Sequence, residues 1–350
     1  LTPPVSAFDF DHAVKSPFRM QPGLRRLAVG AAQLTPNAYG SRHLREKLAV
    51  LSTHPLQALQ IQPAFDPSFA LNAVAEQAAR EHPRAWAIDA TRWNALVLGW
   101  SVDGDAVLPM RPDDALHAAD IHPEIGACLR ALPPRWRAAG LLALAFAEDF
   151  AIVDGDRATL PWLAVALPSH WSPQAKVGRH FAEVHAPVAD NRVLLAAGDH
   201  LMRMVTGPER WERFVWTLTA DPRLNQHPAQ ADPAGWPGEA AADAEQLAAT
   251  AWFRTERQTF IPLPEMRQAV FTILVQTQPL AQVVTDAVRA RGLHDALSTM
   301  SAAVRAYRGL TTAQPRLLQW LESRMQPCEP DAEPLGTRDA LRPDDTPART

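Results

Sequence analysis

The chain has only two cysteines, Cys128 and Cys328, and they form no C-x-x-C pair. This excludes a zinc knuckle, a thiolate-held iron–sulfur cluster and a c-type haem attachment within the chain, and it favours reduced thiols. Long apolar runs are missing too: "GLLALAFA" at 140–147 is far short of the roughly 20 residues a membrane helix needs. No sign of charge dominates. The 34 basic and 38 acidic residues leave a net charge of −4, and the basic ones are scattered, which argues against nucleic acid as a partner. The stretch "LTPPVSAFDF" has neither a basic start nor an apolar signal core, so the expected location is cytoplasmic. There is no G-x-G-x-x-G after a strand, no Walker loop, no G-x-S-x-G elbow and no H-E-x-x-H, so no nicotinamide or flavin site is expected.

What is present describes a folded body. Of the 350 residues, 47% are hydrophobic and 21% charged, the balance of a globular protein with a sizeable core. The 32 prolines punctuate the chain without a repeat and predict short elements and many turns. Helical spacing of Leu44, Leu48 and Leu51, and of Leu71, Val74 and Ala78, predicts N-terminal helices. The segments 95–110 and 150–168 read as hairpins around Asp-Gly-Asp turns, with a helix between them. Segments 213–221, 252–263 and 269–277 are rich in β-branched and aromatic residues and predict antiparallel strands, with helices returning over 280–292 and 317–325. The fold class is therefore α+β, built on hairpins. The Ala/Pro/Asp-rich segment 225–246 reads as an exposed loop insertion with a short helix, and 326–350 as a disordered tail after a single domain over 1–325.

Two places could carry chemistry. In "KVGRHFAEVHAPV" (176–188), His180 and His185 are five residues apart, about 140° around a helix, so they cannot share one small metal ion from one face. Pro187 disfavours helical geometry at Ala186, so the helix should end near His185 and present its ring at a chain exit. A ring there can meet a cofactor or serve as a packing residue; the spacing leaves both open. In "WFRTERQTF", strand alternation puts Arg254, Glu256 and Gln258 on one face and Thr255, Arg257 and Thr259 on the other. Buried members of that set need partners or a polar cavity, whereas an edge strand would leave them solvated. On the preceding strand, Arg213 and Trp216 are an odd spacing apart and face opposite sides if the strand is regular.

Taken in order, "SPFRMQPGL" (16–24), "AEDFAIV" (147–153), "LPSHWSPQAKVG" (167–178), "VHAPV" (184–188), "RFVW" (213–216), "RTERQTF" (254–260), "FTILVQTQPL" (271–280) and "YRGL" (307–310) resemble the haem-dependent oxidative N-demethylase alpha subunits. The resemblance implies a PAS-like antiparallel sheet with flanking helices and extra N- and C-terminal helices, holding haem b. It implies O₂-dependent conversion of a small secondary amine, dimethylamine-like, to a primary amine and formaldehyde. Electrons would come from NADPH through partner reductase subunits carrying flavin and an iron–sulfur cluster, in keeping with the missing motifs and cysteines. Carried over residue by residue, His185 is the axial iron ligand and Glu256 and Arg257 are catalytic. Lys176, Arg213 and Arg254 are propionate partners, and Trp216 is a further cofactor-binding position. Val215 and Leu274 stand where the family commonly has Asn and Arg. The alternative from another class is a haem-binding sensor or carrier without turnover.

Overall fold

The computed structural model describes residues 8–111, 122–231, 235–238 and 241–325; the tail expected over 326–350 lies outside the described residues. Among these residues the strands are β1 (Arg25–Arg26), β2 (Leu59–Ile61), β3 (Trp86–Asp89), β4 (Arg92–Ala95), β5 (Trp100–Asp103), β6 (Ala106–Pro109), β7 (Asp149–Asp154), β8 (Thr159–Ala164), β9 (Trp211–Thr219), β10 (Trp252–Leu263) and β11 (Gln268–Pro279). They form a seven-stranded sheet in the order β1-β9-β10-β11-β7-β8-β2 and a four-stranded meander β3-β4-β5-β6. All the strand pairs are antiparallel, and the fold is a mixture of helices and antiparallel sheet, as the hairpin reading implies.

The long β10–β11 hairpin is the spine of the larger sheet. Its register runs unbroken from Trp252↔Pro279 to Leu263↔Gln268, and β9 continues it on the other side from Trp252↔Thr219 to Phe260↔Trp211. Because side chains alternate across a strand, the register sorts them. Phe150, Ile152, Ile261, Leu263 and Val270 pack into a core shared with the helices Arg42–Thr53, Ser68–Glu81, Pro123–Ala131 and Pro134–Ala145 and with the smaller sheet. Gly126 lets one of those helices lie against β5, since a Cβ there would stand 2.1 Å from the Trp100 ring. A second core joins the helices Ala287–Ser298, Ala302–Tyr307 and Gln314–Met325 to Trp216, Leu218 and Phe253.

The predicted helix near 37–51 is the helix Arg42–Thr53, capped by the Ser41 hydroxyl, which accepts from the Leu44 N–H. The hairpin read over 95–110 is narrower: residues 96–99 turn, and β5 and β6 pair around Gly104, whose φ of 55° suits a glycine. The segment 225–246 departs from an exposed loop. Asn225, Gln226 and His227 are buried, and the Glu46 carboxylate accepts the Leu224 and Asn225 N–H groups at 2.8 and 3.0 Å. The short helix expected there is Ala244–Thr250, with an Asp243 capping box. Composition could not reveal the burial of 225–227, because the partner carboxylate is remote in sequence.

One ion pair sits at the centre of the first core. Lys47 Nζ, fully buried, is 3.2 Å from Asp149 Oδ1 and donates to the carbonyls of Phe146 and Glu148. Asp149 Oδ2 accepts the Leu167 N–H at 2.7 Å, and Glu148 accepts that of Thr35 at 2.9 Å. Burial pushes the Glu148 carboxyl up to about 7 and the Lys47 ammonium down. Lys47→Met would leave Asp149 buried without its counter-charge, a loss of about 3–5 kcal/mol. Urea unfolding of the variant should show this; a change within experimental error would mean that the pair contributes nothing beyond packing.

Candidate functional site

A cavity of about 370 Å³ lies against the other face of the larger sheet. β9 presents Arg213, Val215 and Thr217 to it, β10 presents Glu256, Gln258 and Phe260, and β7 presents Ala151 and Val153. The loop 169–176, the helix Phe181–His185 and the pair Tyr307–Arg308 form the other walls. The volume is within the usual range of ligand pockets, and much of the lining is apolar.

His185 is the last residue of its helix, as Pro187 predicts. Asn191 Nδ2 caps the exit by donating to the carbonyls of His185 and Ala186 at 3.0 and 3.1 Å. His185 Nδ1 is 2.8 Å from the Phe181 carbonyl oxygen, which can only accept, so Nδ1 carries the proton and Nε2 keeps a free lone pair. That is the tautomer in which histidines bind metals, with the other ring nitrogen tied to an acceptor. Burial, with Lys176 and Arg213 adding their positive charge, pushes the ring down to about 4, so it is neutral at pH 7. His180 has a different job. It caps the same helix, its Nδ1 accepting the Ala182 N–H while the Glu183 carboxylate accepts the His180 N–H.

Positive charge dominates the cavity wall. Lys176 lies 4.8 Å over the Trp171 ring, and Arg213 Nε is buried with no hydrogen-bond partner. Burial lowers the pKa of both. Arg308 sits between the rings of Phe18 and Trp216, at 4.6 and 5.4 Å, and donates to the Trp216 carbonyl at 2.6 Å; burial pushes it down to about 10. Among the described residues none of the three has a carboxylate within ion-pair distance. The carboxylate in the lining is Glu256, which accepts from the Ser169 hydroxyl and, at 2.6 Å, from Gln258 Nε2.

The structure brings His185, Lys176, Arg213, Trp216 and Glu256 together around the cavity and leaves Arg254 and Arg257 out of its lining. Arg257, expected beside the iron, stands on the other side of the sheet. With no bulge in the β10 ladder, neighbours alternate strictly, and Glu256 holds the cavity side. Arg257 points to the opposite face, buried, with Nε 3.0 Å from Glu212 and Nη1 donating to the Ala32 carbonyl. Arg254 shares the Glu256 side, but its guanidinium is engaged by backbone carbonyls and Ser169 and stays out of the cavity lining. Trp216 lines the cavity despite its odd spacing from Arg213, its indole stacked on Phe253. Of the two departures, Val215 lies in the cavity wall directly across from Glu256, whereas Leu274 pairs with Arg257 on the far face.

Sequence reasoning singled out none of Ser169, His170, Tyr307 or Arg308, although all line the cavity. Their only signal was membership of the "LPSHWSPQAKVG" and "YRGL" pieces. His170 adopts a left-handed backbone, φ 60°, uncommon outside glycine, and its N–H donates to the Gln226 carbonyl at 3.0 Å. Burial, with Arg254 nearby, keeps its pKa low.

A depressed His185 pKa has a testable consequence. The unfolded ring takes a proton near 6.5 and the folded one only near 4, so between those values unfolding gains a proton and stability falls as pH drops. Urea unfolding of the chain with nothing bound should show that fall, and a shallower one in His185→Phe. Equal slopes would mean that His185 titrates as an ordinary exposed histidine.

No curated protein matches the chain. No described helix is long and apolar enough to cross a membrane. Residues 34–318 match the model of a family described as haem-dependent oxidative N-demethylase, alpha subunit-like. The match runs from the first core through the cavity walls into the C-terminal helices. The description names a haem cofactor, an oxidative demethylation and a place among other subunits, so the coarse reading is that of a haem-dependent oxidoreductase subunit. The chain belongs to the haem-dependent oxidative N-demethylase, alpha subunit-like family.

Proposed function

We propose that the chain binds haem b in the cavity beside His185 and, with O₂, removes a methyl group from a small secondary amine such as dimethylamine. One observation carries this reading: a neutral histidine with a free Nε2, three cations with no carboxylate partner among the described residues, and a hydrogen-bonded carboxylate share one largely apolar cavity. The chemistry of haem fits that set. Its macrocycle is apolar and flat, its iron takes an imidazole nitrogen, and its two propionates are carboxylates. His185 would hold the iron, and Lys176, Arg213 and Arg308 would meet the propionates, with the orphaned Arg213 Nε gaining an acceptor.

When bound, the haem supplies oxidising power from O₂ and electrons delivered from outside the chain. Glu256 binds the substrate ammonium, its carboxylate fixed by Ser169 and Gln258. Val215, beside it, offers an apolar surface to the methyl groups. Oxidation of one N-methyl carbon yields a carbinolamine, which breaks its C–N bond to release formaldehyde and the shorter amine. The reading includes electrons from NADPH through partner subunits bearing flavin and an iron–sulfur cluster, and hence a cytoplasmic location. It also includes a PAS-like origin for the larger sheet and a single haem-binding unit over 1–325, supported by a cavity wall that draws on residues from Met20 to Arg308.

The test is the absorption spectrum after expression with added haem, followed by assay with a reconstituted reductase. A Soret band and NADPH-driven formaldehyde release are expected. His185→Ala should lower haem affinity by more than the about 10–100-fold that loss of an outer-shell partner costs a metal site, and His180→Ala should leave it near normal. Normal haem content in His185→Ala would refute the ligand assignment. Haem binding without formaldehyde from any alkylamine would leave the sensor or carrier reading.

A further inference from the structure

The cavity carboxylate does not stand alone. Ser169, in the loop after β8, lies between Glu256 and the buried Arg254: Arg254 Nε is 2.9 Å from Ser169 Oγ, and Ser169 Oγ contacts Glu256 Oε1. The hydrogens in this chain have only one arrangement. A guanidinium only donates, so Ser169 accepts from Arg254 and its single hydroxyl proton must go to Glu256. Gln258 Nε2 takes the other carboxylate oxygen at 2.6 Å. The Glu256 carboxylate is thus gripped at both oxygens, and one grip is anchored to the interior.

The anchor is rigid. Arg254 is 1% exposed, and its other donors go to the carbonyls of Leu167, Pro168, Arg223 and Leu224. Ser169 itself is fixed on both sides, since the neighbouring His170 N–H donates to Gln226 and the Gln226 N–H donates to Pro168. A donor held this way from below sets the rotamer of a carboxylate without neutralising it, because a hydroxyl brings no net charge. A direct Arg254–Glu256 ion pair would instead spend the negative charge inside the protein.

We propose that Ser169 is a positioning residue for the amine: by bridging Glu256 to Arg254 through its hydroxyl it orients Glu256 toward the cavity in place of a direct Arg254–Glu256 ion pair, so that the carboxylate remains available to a small alkylammonium ion. The proposal rests on the reading of Glu256 as the ammonium-binding group.

The test uses the haem-loaded full chain and dimethylammonium chloride, with binding measured by calorimetry. Ser169→Ala removes the hydroxyl donor and should weaken binding about tenfold, the typical value of a hydrogen bond to a charged group. Ser169→Thr, which keeps the hydroxyl, should restore it. In a Glu256→Gln background Ser169→Ala should have no further effect, because the serine acts through that carboxylate. Carbon monoxide affinity, which does not involve the carboxylate, should stay as in the unaltered protein. Wild-type binding by Ser169→Ala, an additive loss in the Glu256→Gln background, or a parallel loss of carbon monoxide affinity would each overturn the proposal. If Ser169→Ala loses its haem, Ser169→Cys, close in size and a weak donor, is read by the same criteria. Unchanged binding by Glu256→Gln would overturn the amine reading and this proposal together. Weakened binding by Glu256→Gln with none by Ser169→Ala overturns this proposal alone.

Discussion

The arrangement of the cavity depends on one buried guanidinium. Arg254 leaves β10 and joins the loop after β8 to the loop after β9, through the carbonyls of Leu167 and Pro168 on one side and of Arg223 and Leu224 on the other. Burial pushes its pKa down to about 10, and Glu256, Glu46, Asp221 and Asp149 act in the opposite direction. An arginine tolerates this place because its donors lie in one fixed plane, where the Ser169 hydroxyl meets Nε and backbone carbonyls meet both terminal nitrogens. A lysine would bring the charge without the fork. Without Arg254, those carbonyls would lose their donor and the wall carrying Ser169 and His170 would lose one of its ties to the sheet.

The alternation of β10 then separates two electrostatic regimes. On the face away from the cavity, charges are matched: Arg257 meets Glu212, Glu212 also meets Arg25 at 2.9 Å, and Arg25 meets Asp9 at 2.7 Å. That chain of pairs ties the N-terminal helix Phe10–Ala13 and β1 to the edge of the sheet, and its side chains are satisfied within the protein. On the cavity face, Lys176, Arg213 and Arg308 have no carboxylate within ion-pair distance among the described residues. Buried cations normally come paired, and unpaired ones mark places where a ligand supplies the counter-charge.

How much of this was legible in the sequence follows from how local each feature is. The two-sided pattern of "RTERQTF" showed that only one of Glu256 and Arg257 could reach a pocket, because alternation is a property of the strand itself. Which one did was hidden, since it depends on which face the helices cover, and those come from residues far away in the chain. Pro187 and the five-residue spacing similarly separated His185 from His180, yet the carbonyl that fixes the His185 tautomer required the folded helix. The strands β3 and β4 are four residues each, too short for a firm period, whereas the helix Gly198–Val205 does carry helical spacing in Leu201, Met202 and Val205. The burial of Asn225 to His227 rests on Glu46 and Arg254, which no window of sequence contains.

Val215 shows how the same geometry grades a departure from the family pattern. At its position the side chain lies directly across the ladder from Glu256, so an apolar residue there changes what sits beside the carboxylate. Leu274, by contrast, is buried beside Arg257 on the matched face, where a second arginine would need a carboxylate that Arg257 already holds. The two positions look alike in sequence, each an apolar residue where the resemblance leads to a polar one. Only Val215 borders the cavity; Leu274 sits on the face where Arg257 already holds Glu212, and a further buried charge there would carry a desolvation cost.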